Sequence, residues 1–138
     1  MEDSWKVYII YNKNYSYVGA TNNITKRLKK HNQELPGGAK YTKMVGKGWQ
    51  YICYISGFLC KTDALKFEWA LKHTAPRKLR GIYGRMYKLE KLLEKEYWTQ
   101  KAPSSINYKL KIMWCAPEYI LEEFKVPEWV EMDIKDGV

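Results

Sequence analysis

Two short alternating runs open the chain. Val7-Tyr8-Ile9-Ile10-Tyr11 and Tyr15-Ser16-Tyr17-Val18-Gly19-Ala20 flank the polar Asn12-Lys13-Asn14. β-Branched and aromatic residues on either side of an Asn-rich loop predict a β-hairpin, with strands at 7–11 and 15–20. The period then changes. Thr21-Asn22-Asn23 suits an N-cap, and Ile24, Leu28 and Leu35 share one stripe of a helix over 24–35. Residues 36–48 form a Gly- and Lys-rich loop without the closing Gly-Lys-Ser/Thr of a P-loop. A strand at 49–58 ends at Gly57. Thr62 is placed to cap a helix at 63–73, whose apolar face is Ala64, Leu65, Phe67 and Leu71.

Pro76 breaks a basic linker, 74–80. Ile82, Met86, Leu89, Leu93 and Tyr97 then recur at helical spacing and predict a helix over 82–98. Its Lys88, Lys91 and Lys95 alternate with Glu90, Glu94 and Glu96, which reads as a solvated, ion-paired face. Pro103 ends the connection to a strand at 106–114, with Ile106, Tyr108, Leu110, Ile112 and Trp114 inward. A short helix at 117–124 follows, and Trp129 anchors the tail. The pattern predicts an α/β (α+β) domain: a small mixed central sheet led by a hairpin and packed by helices. One domain covers 1–138, with its core at about 6–114 and a C-terminal extension at 115–138.

Charge narrows the partner. The 138 residues carry a formal net charge of +9 alongside twelve Tyr and six Trp, a balance that suits a polyanion with unpaired bases. Most of those aromatics can equally fill the core. No apolar run is long enough to cross a membrane, and the acidic Met1-Glu2-Asp3 start is unlike a signal peptide, so an intracellular, non-secreted protein is expected. Three widely spaced cysteines, Cys53, Cys60 and Cys115, leave no CxxC pair for zinc and read as reduced thiols.

The least ordinary residue is Glu68, which falls inside an apolar helix face. A desolvated carboxylate needs a partner: Arg27, a metal ion or a route to water. A structural ion pair satisfies it as well as a functional one. Arg27 and His31, four apart on one helix edge, are either a solvated arginine and a half-buried histidine or a pair facing a cleft lined by the hairpin. Tyr8 and Tyr17 alone read as core. Together with Arg27, His31 and Glu68 they form a set able to work on a phosphodiester, with a proton acceptor, a planar cation and one hard carboxylate for Mg2+. Lys40, Lys43 and Lys47 of the loop, Arg77, Lys78 and Arg80 of the linker, and Arg85 are the candidate DNA-backbone contacts.

Tyr8, in Lys6-Val7-Tyr8, and Tyr17-Val18-Gly19 resemble the two halves of the GIY-YIG nuclease motif, with Arg27 and Glu68 following in that family's order. The run from Tyr17 to Asn32, the Gly-Gly-Ala loop, Leu65 to Ala70, and the Trp98 to Trp114 region are similar to the catalytic subunit of the eukaryotic structure-selective endonuclease. That enzyme works with a scaffold partner on Holliday junctions and flaps. The resemblance implies the GIY-YIG fold and metal-dependent hydrolysis of branched or flapped DNA. By resemblance, Tyr17 is the general base with Tyr8 beside it, His31 orients that tyrosine, and Arg27 contacts the scissile phosphate. Glu68 binds a single Mg2+ or Mn2+, and Gly19 lets the backbone turn tightly beside the base.

Lys6 stands where the motif has its first glycine, and Ala20 where many members have lysine. The cysteine-rich zinc domain that normally follows is expected to be absent, since Cys115 is the one cysteine in this tail, and with it the scaffold partner becomes uncertain; a minimal, self-sufficient nuclease is the expectation. A homodimer stays open, and a nuclear location follows if the source is a cellular eukaryote. Two other readings remain: a non-catalytic nucleic-acid-binding module on the same fold, and a site-specific homing or restriction-type endonuclease.

Overall fold

The computed structural model describes residues 4–99, 102, 104, 105 and 108–135. The expected roles of Met1-Glu2-Asp3, Pro103 and Ile106 lie outside the described residues. Strands β1 (Lys6–Asn12) and β2 (Tyr15–Thr21) form the expected hairpin. After them come α1 (Ile24–His31), α2 (Lys40–Val45), β3 (Gln50–Ser56), α3 (Lys61–His73), α4 (Gly81–Leu93), β4 (Leu110–Trp114) and β5 (Val130–Ile134). The sheet order is β2-β1-β3-β4-β5. All pairs are antiparallel except β4 with β5, so the sheet is mixed. No helix among the described residues is long and apolar enough to cross a membrane.

The alternation of β1 divides the molecule into two layers. Val7 and Ile9 point to the main core with Val18, Phe67, Leu71, Met86 and Leu89. Tyr8 and Ile10 point to a second cluster with Trp49, against which Tyr17, Ile24, Leu28, Tyr51 and Tyr54 pack. The main core holds α3 and α4, and the second cluster holds α1 and α2. β3 does not alternate cleanly. Ile9 pairs with Cys53 and the adjacent Ile10 with Tyr51, so Ile52 is an extra residue, a β-bulge. Ile52 and Cys53 therefore both enter the main core, while Tyr51 and Tyr54 both join the Tyr8 cluster.

Several element ends differ from the sequence expectations. α1 stops at His31 rather than 35 because the Asn32 side chain is captured from afar. It accepts from the backbone N–H groups of Gly48 and Trp49 at 3.0 and 2.7 Å and donates to Trp49 O at 3.0 Å. Leu35 consequently leaves the apolar stripe and is exposed. The 36–48 loop contains the helical turn α2. α3 starts two residues early, with Cys60 and not Thr62 at its N-cap, and Leu65 is exposed while Ala70 is buried.

α4 ends at Leu93, not 98. Trp98 turns into the core against Phe58, Phe67 and Tyr108. Lys88 is not on a solvated ion-paired face: it is only 5% exposed. Glu90 instead accepts from Lys125 N, and the ion pairs among the described residues are Lys72–Glu68 and Lys111–Asp133. The expected helix at 117–124 is a single 3-10 turn, Pro117–Tyr119. The tail then returns as β5, parallel to β4, and leaves Glu131 and Asp133 exposed on the outermost strand.

Candidate active site

Tyr8 comes from the buried middle of β1 and is fully enclosed. Its hydroxyl lies 2.7 Å from His31 Nε2, and Arg27 Nε donates to it at 3.0 Å. The two partners are four apart on α1, so one helix face delivers both. Asn23 fixes the start of that helix by accepting from Lys26 N at 3.0 Å. Arg27 also reaches Gly37 O at 3.1 Å, tying the 36–48 segment to the site. Tyr51, brought to this side by the bulge, meets the Tyr8 ring edge-on at 5.6 Å and donates to Ile24 O.

The tautomer of His31 follows from its other nitrogen. Nδ1 lies 2.8 Å from Thr42 Oγ1, and the single hydroxyl proton of Thr42 is already given to Ala39 O at 3.0 Å. Thr42 must therefore accept from Nδ1–H. Nε2 is left bare, and Tyr8 O–H donates to it. Burial, assisted by the Arg27 charge, lowers the His31 pKa to about 4, so the ring is neutral near pH 7. Burial raises the Tyr8 pKa above the usual phenol range, against the opposing pull of Arg27. Arg27 is held above its ordinary value: burial lowers it, but the hydrogen bond to Tyr8 and the electrostatics of Tyr8, Tyr17 and Tyr51 around it outweigh that loss.

The expected bond from His31 to Tyr17 is absent. Tyr17 meets the His31 ring edge-on at 5.2 Å and stacks beside Tyr41 at 6.1 Å. The histidine holds Tyr8 instead, because β1 is interior to the sheet and lies under α1, whereas Tyr17 is on the outer strand β2. Gly19 is likewise no turn. It sits within β2 directly opposite Tyr8, and a Cβ there would fall 2.3 Å from the Tyr8 hydroxyl. Its contribution is space.

Glu68 is on α3 with its side chain 18% exposed. Its partner is not Arg27 but Lys72, one turn on, at 3.1 Å. Lys72 Nζ also stands 5.4 Å from the Tyr17 ring centre, linking α3 to β2. The Glu68 charge adds a minor upward push to the Tyr8 pKa, which ties the carboxylate electrostatically to the tyrosine. No cluster of three or more His, Cys, Asp or Glu able to hold a metal occurs among the described residues. Glu68 is thus a lone, partly solvated hard-oxygen donor. That chemistry fits Mg2+, which retains most of its waters.

Of the expected DNA contacts, Arg77, Arg80 and Arg85 line one cleft, together with Lys72. Lys40, Lys43 and Lys47, on or beside α2, and Lys78 are exposed but do not line that cleft. Sequence reasoning missed Thr42, for which the sequence carries no signal, and Lys72, whose position four residues after Glu68 was one.

A hydrogen-bonded phenol, imidazole and guanidinium on the α1 side of a hairpin-led sheet, with a single carboxylate near it, have the make-up of a catalytic domain. The GIY-YIG catalytic domain model matches residues 4–80, and the chain belongs to that family. It is similar to the structure-specific endonuclease subunit SLX1 homolog of Leishmania infantum, 46% identical over 65 residues, covering 46% of this chain and 9% of that protein. The SLX1 subunit of Phaeosphaeria nodorum is 44% identical over 70 residues, 49% of this chain and 19% of the relative. The slx1 subunit of Aspergillus terreus is 30% identical over 119 residues, 72% of this chain and 30% of the relative. The chain therefore spans less than a third of these relatives' length.

Proposed function

We propose that this domain is a metal-dependent endonuclease that hydrolyses phosphodiester bonds in branched DNA such as flaps and Holliday junctions. The observation that carries the reading is the bare His31 Nε2 on the Tyr8 hydroxyl, with Arg27 Nε donating to the same oxygen. A water proton passes to Tyr8 Oη as the tyrosine's own proton passes to His31 Nε2. Arg27 steadies the negative charge that develops on the phenol oxygen. The geometry favours Tyr8 over Tyr17 as the base, since only Tyr8 has both an acceptor for its proton and a cation on its oxygen.

Tyr8 is sealed in the free domain. In this mechanism the scissile phosphate draws the Arg27 guanidinium off Gly37 O, so that water reaches Oη. The hydroxide then attacks phosphorus, and the P–O bond on the opposite side breaks. Glu68 would hold the Mg2+ or Mn2+, which supplies Lewis-acid stabilisation of phosphoryl charge. The exposed cations Lys40, Lys43, Lys47, Arg77, Lys78 and Arg80, with Arg85, would carry backbone affinity. The names of the relatives, structure-specific endonuclease subunits, support branched DNA as the substrate class.

The test compares a flap, a four-way junction and a plain duplex, with Mg2+, in the wild type and Glu68→Gln. Expected are cleavage of the branched substrates, little cutting of the duplex, and loss of cleavage with retained binding in Glu68→Gln. Equal cutting of all three substrates would favour a site-specific or non-selective nuclease. Binding without cleavage by the wild type would favour a non-catalytic module. Full cleavage by Glu68→Gln would remove the metal assignment.

A further inference from the structure

A second cluster of cations lies beside this site, and it is incomplete. Arg85 and Lys88, one turn apart on α4, border a cleft of about 470 Å3 between the hairpin tip and the start of that helix. Arg85 Nε donates to Ser16 Oγ at 3.1 Å, which holds the guanidinium against β2. Lys88 is only 5% exposed. Neither forms an ion pair among the described residues, and no Asp or Glu lines the cleft, whereas Lys72, Arg77 and Arg80 do. Burial of Lys88, with Arg85 and Arg80 near it, lowers its pKa.

Two cations side by side with no counter-charge between them repel each other. Such a cluster is balanced when an anion fills it. The rim indicates which anion. Tyr15 and Tyr41 line the cleft at 51% and 38% exposure, and exposed aromatic faces stack on unpaired bases. The volume suits one or two nucleotides. The cleft also adjoins the catalytic cluster, because Tyr41 stacks on Tyr17 and Lys72 joins Glu68.

We propose that Lys88 and Arg85 hold a backbone phosphate of a single-stranded DNA arm, with Tyr15 and Tyr41 stacking its bases, next to the point of cleavage. This rests on the branched-DNA reading and specifies which part of the branch the domain grips.

Binding is measured by fluorescence anisotropy in EDTA, so that cleavage plays no part. The probes are a flapped duplex, the same duplex without the arm, and a short oligo-dT. Lys88→Met is expected to weaken flap and oligo-dT binding tenfold or more and to change armless-duplex binding less than twofold. Its melting temperature should rise, because the repulsion from Arg85 and Arg80 is relieved. Inorganic phosphate should raise the melting temperature of the wild type and not of Lys88→Met. Should Lys88→Met fail to fold, Tyr15→Ser, at an exposed position, carries the same expectation for the arm.

Equal flap binding by folded Lys88→Met, or by Tyr15→Ser in its place, would overturn the proposal. Phosphate stabilisation without any preference for the arm would overturn the single-strand assignment and leave an anion site. A wild type that prefers the arm in EDTA yet cuts nothing with Mg2+ would retire the nuclease reading and leave this one standing.

Discussion

The Tyr8 hydroxyl donates to an imidazole nitrogen, His31 Nε2, that has been left bare because Thr42 takes the proton on the other side of the ring. On the proposed mechanism, the direction of that chain makes Tyr8 the base. Tyr8→Phe is therefore expected to lower kcat by at least ~10³-fold, at the upper end of general-base effects, and to leave the fold intact. Tyr17→Phe, which keeps its ring contacts with His31 and Tyr41, should cost at least ~10-fold less. Single-turnover cleavage of one substrate by both variants decides it, and the reverse order would return the base to Tyr17.

Thr42→Val removes the acceptor that fixes the ring tautomer without touching substrate. kcat should fall about 10- to 100-fold, by analogy with loss of the partner that orients a metal-bound histidine, while KM stays put. Thr42→Ser should restore the rate. A merely structural role would not show that rescue.

His31 also makes stability depend on pH. Its pKa is about 4 in the folded domain against an ordinary 6.5, so between those values the unfolded chain binds more protons. Stability should be fully present above pH ~6.5 and decline by roughly 3 kcal/mol as the pH falls to about 4, flattening below. Urea unfolding of wild type and His31→Gln across that window should show this part of the slope only in the wild type.

Gly19→Ala places a methyl group 2.3 Å from the Tyr8 oxygen. Tyr8 must move, because a neighbouring strand cannot. Overpacking of this kind costs typically ~1–3 kcal/mol, and the lost His31 and Arg27 bonds should lower cleavage by more than that loss of stability explains. Denaturation midpoints and kcat measured together separate the two effects.

Lys72 occupies the carboxylate that the metal would need. Lys72→Met should lower the Mn2+ concentration at half-saturation several-fold, read by direct titration without DNA. Unchanged metal affinity would mean that the pair opens at no cost.

The hairpin could be read from sequence because period-2 alternation is local, and the Arg27–His31 pairing because four residues make one helical turn. The limits of the helices could not be read. α1 ends where Asn32 is seized by Gly48 and Trp49, and α4 ends where Trp98 is drawn to Phe58 and Phe67. Both are contacts between distant parts of the chain. Lys88 was misjudged for a related reason. Its spacing from glutamates suggested a solvated pair, but Glu90 is turned toward Lys125 N. That Tyr8, Tyr17, Arg27 and His31 would meet was legible. Which tyrosine the histidine holds was not, since that depends on which strand lies under α1.

The last strand has a bearing on how the domain meets its substrate. Between 117 and 135 the chain carries six carboxylates and two lysines, all exposed, and β5 places two of those carboxylates on the far edge of the sheet. The cationic cleft and the catalytic hairpin belong to the opposite edge, at β2. The molecule is thus electrically lopsided along its sheet. A polyanion at a distance exerts a torque on it, repelling one end and drawing in the other. For the proposed DNA substrate, such a field would turn the domain before contact so that Tyr17, Lys72 and the cleft lead.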